Sequence, residues 1–185
     1  MNILFINACV RKDSRTLTLA KHLLDRLEGD VTEVNLEKEN IQALNRNTLE
    51  YRDTCLHYGK FNDPMLSYAK QFAAADIVVI AAPFWDMSFP SSLKNYIEAI
   101  TVSGITFNYV DGIPHGLCKG QKLYFVSTAG GPFTPDFGFN YIKTMAQVFY
   151  GIGEVSCFTA EFLDIIGADT EGILNNAKKA IDAAF

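Results

Sequence analysis

Three short stretches carry the residue types able to do chemistry. The first, Asn7-Ala8-Cys9-Val10-Arg11-Lys12-Asp13-Ser14-Arg15-Thr16, leaves an apolar run and enters a segment of helical period. A helix start presents unpaired amides and the positive end of its dipole, so it can hold a phosphate. Ser14 and Thr16 add hydroxyl donors, while Arg11 and Arg15 add charge and forked donors. The same residues also suit a plain helix cap at Asp13 or Ser14 with solvated arginines. The absence of glycine argues against a Walker A or dinucleotide fingerprint.

The second stretch is Pro83-Phe84-Trp85-Asp86-Met87-Ser88-Phe89-Pro90. Three aromatics and a methionine on one loop suit a cover over something flat and apolar, or packing in a core or subunit interface. The third is Ser127-Thr128-Ala129-Gly130-Gly131-Pro132, whose paired glycines let a backbone approach a ligand or make a plain turn. Each loop is ambiguous alone. Together they stand in the order that a molecule running from phosphate to ring requires.

The elements that must position these loops alternate along the chain. Ile3 to Ile6, Val31 to Leu36, Ile77 to Ala82, Lys122 to Ser127 and Val155 to Phe162 read as strands. Leu17, Ala20, Leu24 and Leu27 recur at helical spacing, and further helices are expected from Asp63 to Ala75, Pro90 to Ile100, Phe137 to Tyr150 and Thr170 to Ala183. Residues 37 to 62 read as polar and irregular. This alternation implies a parallel sheet covered on both faces, with ligands outside the carboxyl ends of its strands.

With 185 residues, the chain is expected to form one domain over 1–185. Its net charge of -5 gives no basis for binding a phosphate backbone, so nucleic acid is not an expected partner. The four cysteines, Cys9, Cys55, Cys118 and Cys157, are scattered and suit reduced thiols of a cytoplasmic protein. No apolar run nears the ~20 residues of a membrane helix, and no metal-ligand spacing is visible among Cys and His.

Ser14-Arg15-Thr16, the run from Pro83 to Pro90 with Leu93-Lys94-Asn95-Tyr96, Gly104-Ile105-Thr106-Phe107 and Thr128-Ala129-Gly130-Gly131 together resemble the flavodoxin-like FMN-dependent NAD(P)H:quinone oxidoreductases and azoreductases. The resemblance implies a three-layer α/β flavodoxin-like fold, its five parallel strands in the order 2-1-3-4-5. It also implies a homodimer that passes two electrons from NAD(P)H through FMN to quinones or azo compounds by a ping-pong mechanism. Carried over by position, Ser14, Arg15 and Thr16 would hold the phosphate, and Arg11 is a further cofactor-binding candidate from its charge and forked donors. Pro83, Phe84, Trp85, Asp86 and Met87 would line the flavin ring, and Thr128, Ala129, Gly130 and Gly131 would close over its pyrimidine side. Members of that family often carry Asn where Asp86 stands and Arg where Ala129 stands. No catalytic side chain is assigned.

Two other readings of the residues remain. Cys9 to Thr16 matches C-x5-R-[ST], the phosphate loop of low-molecular-weight cysteine phosphatases, with Cys9 as nucleophile and Arg15 as anion holder. Against it, the loop is crowded with charged side chains, and the aromatic loop is left without a role. The third reading is a flavodoxin-type electron carrier, which would bind FMN and serve protein partners.

Overall fold

The computed structural model describes residues 1–185. Strands β1 (Asn2–Asn7), β2 (Asp30–Asn35), β3 (Ile77–Ala81), β6 (Lys122–Thr128) and β7 (Glu154–Ala160) form one parallel sheet in the order β2-β1-β3-β6-β7. Strands β4 (Phe107–Val110) and β5 (Ile113–Gly116) pair antiparallel outside it. With that hairpin set aside, the parallel strands run 2-1-3-4-5 as expected.

The register explains why the central strands are apolar throughout. Ile3, Phe5, Ile77, Val79 and Ala81 point to one face, where Leu19, Leu23, Ala177 and Ile181 pack on them. These come from α1 (Arg15–Leu24) and α7 (Thr170–Asp182). Leu4, Ile6, Val78, Ile80, Leu123 and Phe125 point to the other face, against Phe72, Leu93, Tyr96, Ile97 and Ile142. Those belong to α4 (Ser67–Ala74), α5 (Ser91–Ile100) and α6 (Phe139–Thr144). A strand buried on both faces has no polar position to spare. Each fully buried Leu, Ile or Phe contributes about 1.5–3 kcal/mol relative to exposure.

The structure corrects the sequence reading in two places. Residues 37 to 62 are not irregular: they hold the end of α2 (Leu36–Glu39) and all of α3 (Arg46–His57). Helix α3 buries only Cys55, so it lacks a strong apolar stripe, and its start is set by a capping box between Asn45 and Thr48. The helix expected from Phe137 to Tyr150 begins at Phe139 and widens into a π-helical turn over Met145–Tyr150, ended by Gly151 in the left-handed region. Between α5 and β6 stands the β4–β5 hairpin, whose two-residue turn Asp111-Gly112 has positive φ at both positions. Asp-Gly is a favoured pair for that turn.

Candidate functional site

The first loop is built by Asn7 at the end of β1. Its amide nitrogen donates to Glu33 Oε1 at 2.8 Å, and its Oδ1 accepts from the Cys9 amide at 3.0 Å, which turns the chain out of the sheet. Ser14 then caps α1: its Oγ accepts from the Leu17 amide at 3.1 Å. That bond uses an oxygen lone pair, so the hydroxyl hydrogen can donate either to the Cys9 sulfur or into the cavity. The backbone amides from Val10 to Thr16 have no acceptor within the protein, so the turn and the first residues of α1 present a row of donors.

The second loop continues β3 past the sheet. Ala82 donates to the Val126 carbonyl and Phe84 to the Thr128 carbonyl, both at 3.0 Å. Trp85 and Ser88 then exchange two backbone bonds across a tight turn, 3.1 and 2.8 Å, with Asp86 and Met87 at its tip. Both tip residues have positive φ, 50° and 65°. Single non-glycine residues in that region cost about 1–2 kcal/mol, and adjacent ones concentrate strain at a loop carrying four large side chains. Phe84 meets Phe133 edge-on, centroids 4.7 Å apart.

The third loop is joined to one that the sequence reading missed. After β7 the chain turns through Phe162, itself at φ 63°, and bonds back along the third loop. Phe162 donates to the Gly131 carbonyl, Leu163 to Ala129 and Asp164 to Gly130, at 3.1–3.2 Å. Gly130 matters here: a Cβ at that position would stand 2.4 Å from the Asp164 carboxylate. With hydrogen there instead, Asp164 reaches over to Arg15, Oδ1 to Nη1 2.7 Å, while the Leu163 carbonyl accepts from the same nitrogen at 3.2 Å. Thr16 and Thr128, both buried, share a hydroxyl bond of 2.7 Å that ties α1 to the end of β6.

These loops enclose a cavity of about 250 Å³. Of the residues singled out in the sequence, Arg11, Ser14, Arg15, Thr16, Pro83, Phe84, Trp85, Thr128, Ala129 and Gly130 line it. Asp86, Met87 and Gly131 do not. The turn geometry carries Asp86 and Met87 out to the exposed tip, and Gly131 lies beyond the contact between Gly130 and Asp164. Val10, Asp13, Leu163 and Asp164 line the cavity without having been singled out. Leu163 and Asp164 follow a seemingly ordinary fifth strand, and only the register of β6 against β7 brings them to the site. Arg15 and Thr16 are also less free than their types suggest. One arginine nitrogen is held by Leu163 and Asp164, and the Thr16–Thr128 pair has one hydroxyl hydrogen left between them.

A family model described as a flavodoxin-like fold matches residues 1–185. The FMN-dependent NADH:quinone oxidoreductase of Coprothermobacter proteolyticus is 37% identical over 182 residues, covering 91% of this chain and 89% of that protein. The chain belongs to the flavodoxin-like family. A Lachnoclostridium phytofermentans protein of the same name is 36% identical over 187 residues, covering 96% of this chain and 94% of its own. Among solved structures, an azoreductase from Bacillus anthracis superposes with a TM-score of 0.85 at 22% identity over 99% of this chain and 97% of that one. An FMN-dependent NADH-azoreductase from B. anthracis, solved in complex with FMN, gives 0.83 at 24% identity, covering 100% and 97%. At those identities the superpositions speak for the flavodoxin-like fold alone.

Within this flavodoxin-like frame, the donor set fits a phosphate-tailed ring. Free amides, the Ser14 hydroxyl and the Arg11 guanidinium line the cavity together with Pro83, Phe84 and Trp85. The same frame speaks against the phosphatase reading. Cys9 is 5% exposed, does not line the cavity, and directs its thiol at the Ala81 carbonyl 3.7 Å away. Burial pushes that thiol up to about 11, a hydrogen bond with Ser14 opposes the shift, and the Glu33 carboxylate adds to it. A group that stays a thiol at neutral pH, outside the cavity, is not a nucleophile for phosphate. No helix is long and apolar enough to cross a membrane.

Proposed function

We propose that this chain is an FMN-dependent oxidoreductase that takes two electrons from NADH or NADPH and gives them to a quinone or azo acceptor. The carrying observation is the convergence of three loops, braced by a fourth, on one cavity lined both by phosphate-donor groups and by aromatic side chains. The names of the relatives agree with this reading. When bound, FMN supplies a ring that accepts a hydride and passes two electrons on.

The protein's part is binding, orientation and exclusion of water. Ser14, Arg11, Arg15 and the amides entering α1 hold the phosphate, and the single free hydrogen of the Thr16–Thr128 pair serves as a further donor beside it. Pro83, Phe84 and Trp85 face the ring, while Asp86 and Met87 at the strained tip form its outer rim. Thr128, Ala129 and Gly130 close the pyrimidine side. A carboxylate close to that side would disfavour a negatively charged reduced ring. Asp86 at the solvent-exposed tip exerts this effect weakly, because water screens it.

The whole chain works as one unit of a cytoplasmic homodimer. Trp85 at the cavity, Met87 and Phe137, which share a backbone bond, and Phe162 and Ile166 beyond β7 are exposed apolar side chains that suit cover by a second subunit. Purified protein should be yellow, with flavin absorbance that bleaches on anaerobic addition of NADH and returns with a quinone. A colourless protein that takes up no added FMN would overturn the proposal. A flavin that NADH leaves oxidised would favour the electron-carrier reading.

A further inference from the structure

Beside the first cavity, and sharing Phe84 with it, lies a second of about 200 Å³. Its floor is set by strand register. Phe125 pairs with Cys157 and Ser127 with Thr159, so alternate residues of β6 and β7 place these four side chains on one face. Phe84, Phe133 and Phe139 complete an aromatic box with Phe125. Phe84 and Phe133 meet edge-on, and Phe125 and Phe139 stack with centroids 5.9 Å apart.

The polar groups of this cavity are only partly used. Ser127 is 2% exposed, yet its hydroxyl has no hydrogen-bond partner in the protein. Asp136 gives Oδ1 to the Gly138 and Phe139 amides, both at 2.9 Å, and Glu161 gives Oε2 to the Phe133 amide at 3.1 Å. Each carboxylate keeps a second oxygen without a protein partner. Burial, with a smaller contribution from the charge of Asp136, pushes the Cys157 thiol up to about 12, so it stays a neutral, apolar part of the floor. A cavity of roughly 150 Å³ already admits a benzene ring. Aromatic faces and unpaired carboxylate oxygens together favour a ring bearing positive or donor-rich nitrogen and disfavour an anion.

We propose that this second cavity is a binding subsite for an aromatic ring carrying an amine or amidine group. The ring packs in the phenylalanine box, and its N–H groups donate to Glu161, Asp136 and the Ser127 hydroxyl. Assigning that ring to the electron acceptor rests on the oxidoreductase reading, in which Phe84 is the wall common to the flavin and acceptor positions. The binding itself does not.

Benzamidine and benzoate, equal in size and opposite in charge, test it by ligand-observed NMR titration of the FMN-loaded protein. Benzamidine should saturate and benzoate should not. Glu161→Gln, which keeps the acceptor for Phe133, should weaken benzamidine at least fivefold, and Cys157→Leu, which fills the floor, should abolish its binding. Neither change should alter FMN affinity, followed separately by flavin fluorescence. Equal binding of the two probes, or benzamidine binding indifferent to both substitutions, would overturn the subsite. If the chain takes up no FMN, the oxidoreductase reading fails, and the same titration on the flavin-free protein still decides the subsite by the same outcomes.

Discussion

Ser14 has two duties that a pair of substitutions can separate. Its Oγ accepts from the Leu17 amide to cap α1, and its hydroxyl lines the cavity, where under the proposed function it donates to the phosphate. Ser14→Ala removes both. Loss of the cap costs about 1 kcal/mol, which for a chain of this size lowers the melting temperature by roughly 2–4 °C. Loss of a hydrogen bond to a charged phosphate costs about 1.5–3 kcal/mol, a weakening of FMN binding by about 10- to 150-fold. Ser14→Gly loses the same donor but only a few tenths of a kcal/mol of capping. Both variants should therefore lose similar FMN affinity while differing in stability. Riboflavin, which lacks the phosphate, should bind both variants as it binds the parent chain. Fluorescence titration with the two flavins, alongside thermal melts, reads all of this. An equal loss of FMN and riboflavin would refute the placement of the phosphate at α1.

Further expectations come from the bonds that join the loops. Gly130→Ala should push Asp164 off Arg15 and lower the melting temperature, and adding Asp164→Gly should recover most of that loss, because the clash at 2.4 Å is with the Asp164 side chain. Thr16→Val and Thr128→Val should each cost about 1–3 kcal/mol by stranding a buried hydroxyl, while the double variant should cost clearly less than their sum in denaturant titrations. Cys9→Ser should leave FMN binding intact, and the parent chain should not hydrolyse 4-nitrophenyl phosphate; turnover abolished by that change would restore the phosphatase reading. Asp76 is held below the usual carboxylate range, chiefly by Lys119 and then by the Asn2 amide. A lowered folded pKa contributes stability above the unfolded value of about 3.9 that is lost as pH falls through the folded value. Asp76→Asn should therefore flatten the acid limb of a melting-temperature profile below about pH 4 and leave its shape above pH 6 unchanged.

Much of the frame was legible because central parallel strands must be apolar on both faces, and Ile3 to Ile6 and Ile77 to Ala82 say so directly. The start of α1 was legible for a similar reason: Ser14 just ahead of Leu17 and Ala20 marks a helix start whatever follows. Helix α3 was not, since a helix that buries little beyond Cys55 shows no periodic stripe, and only the Asn45–Thr48 box announces it. Asp164 was hidden for a deeper reason. Its role depends on a strand register that brings residue 164 beside residue 15, and on a missing side chain at Gly130, which local sequence cannot reveal. Asp86 and Met87 were assigned to the ring wall by position through the family resemblance, but the turn they occupy sends them to its tip.

The stitching of Thr16 to Thr128, Arg15 to Asp164, and Ala129, Gly130 and Gly131 to the chain after β7 has a kinetic consequence. The walls are fastened to each other by bonds made when the chain folds, so little ordering is left for a ligand to accomplish on arrival. Capture of a ligand by such a prebuilt trough is quick and varies little between variants. Residence time is then the property that substitutions in these walls will change, and slow loss of cofactor on dilution is where such changes will first be seen.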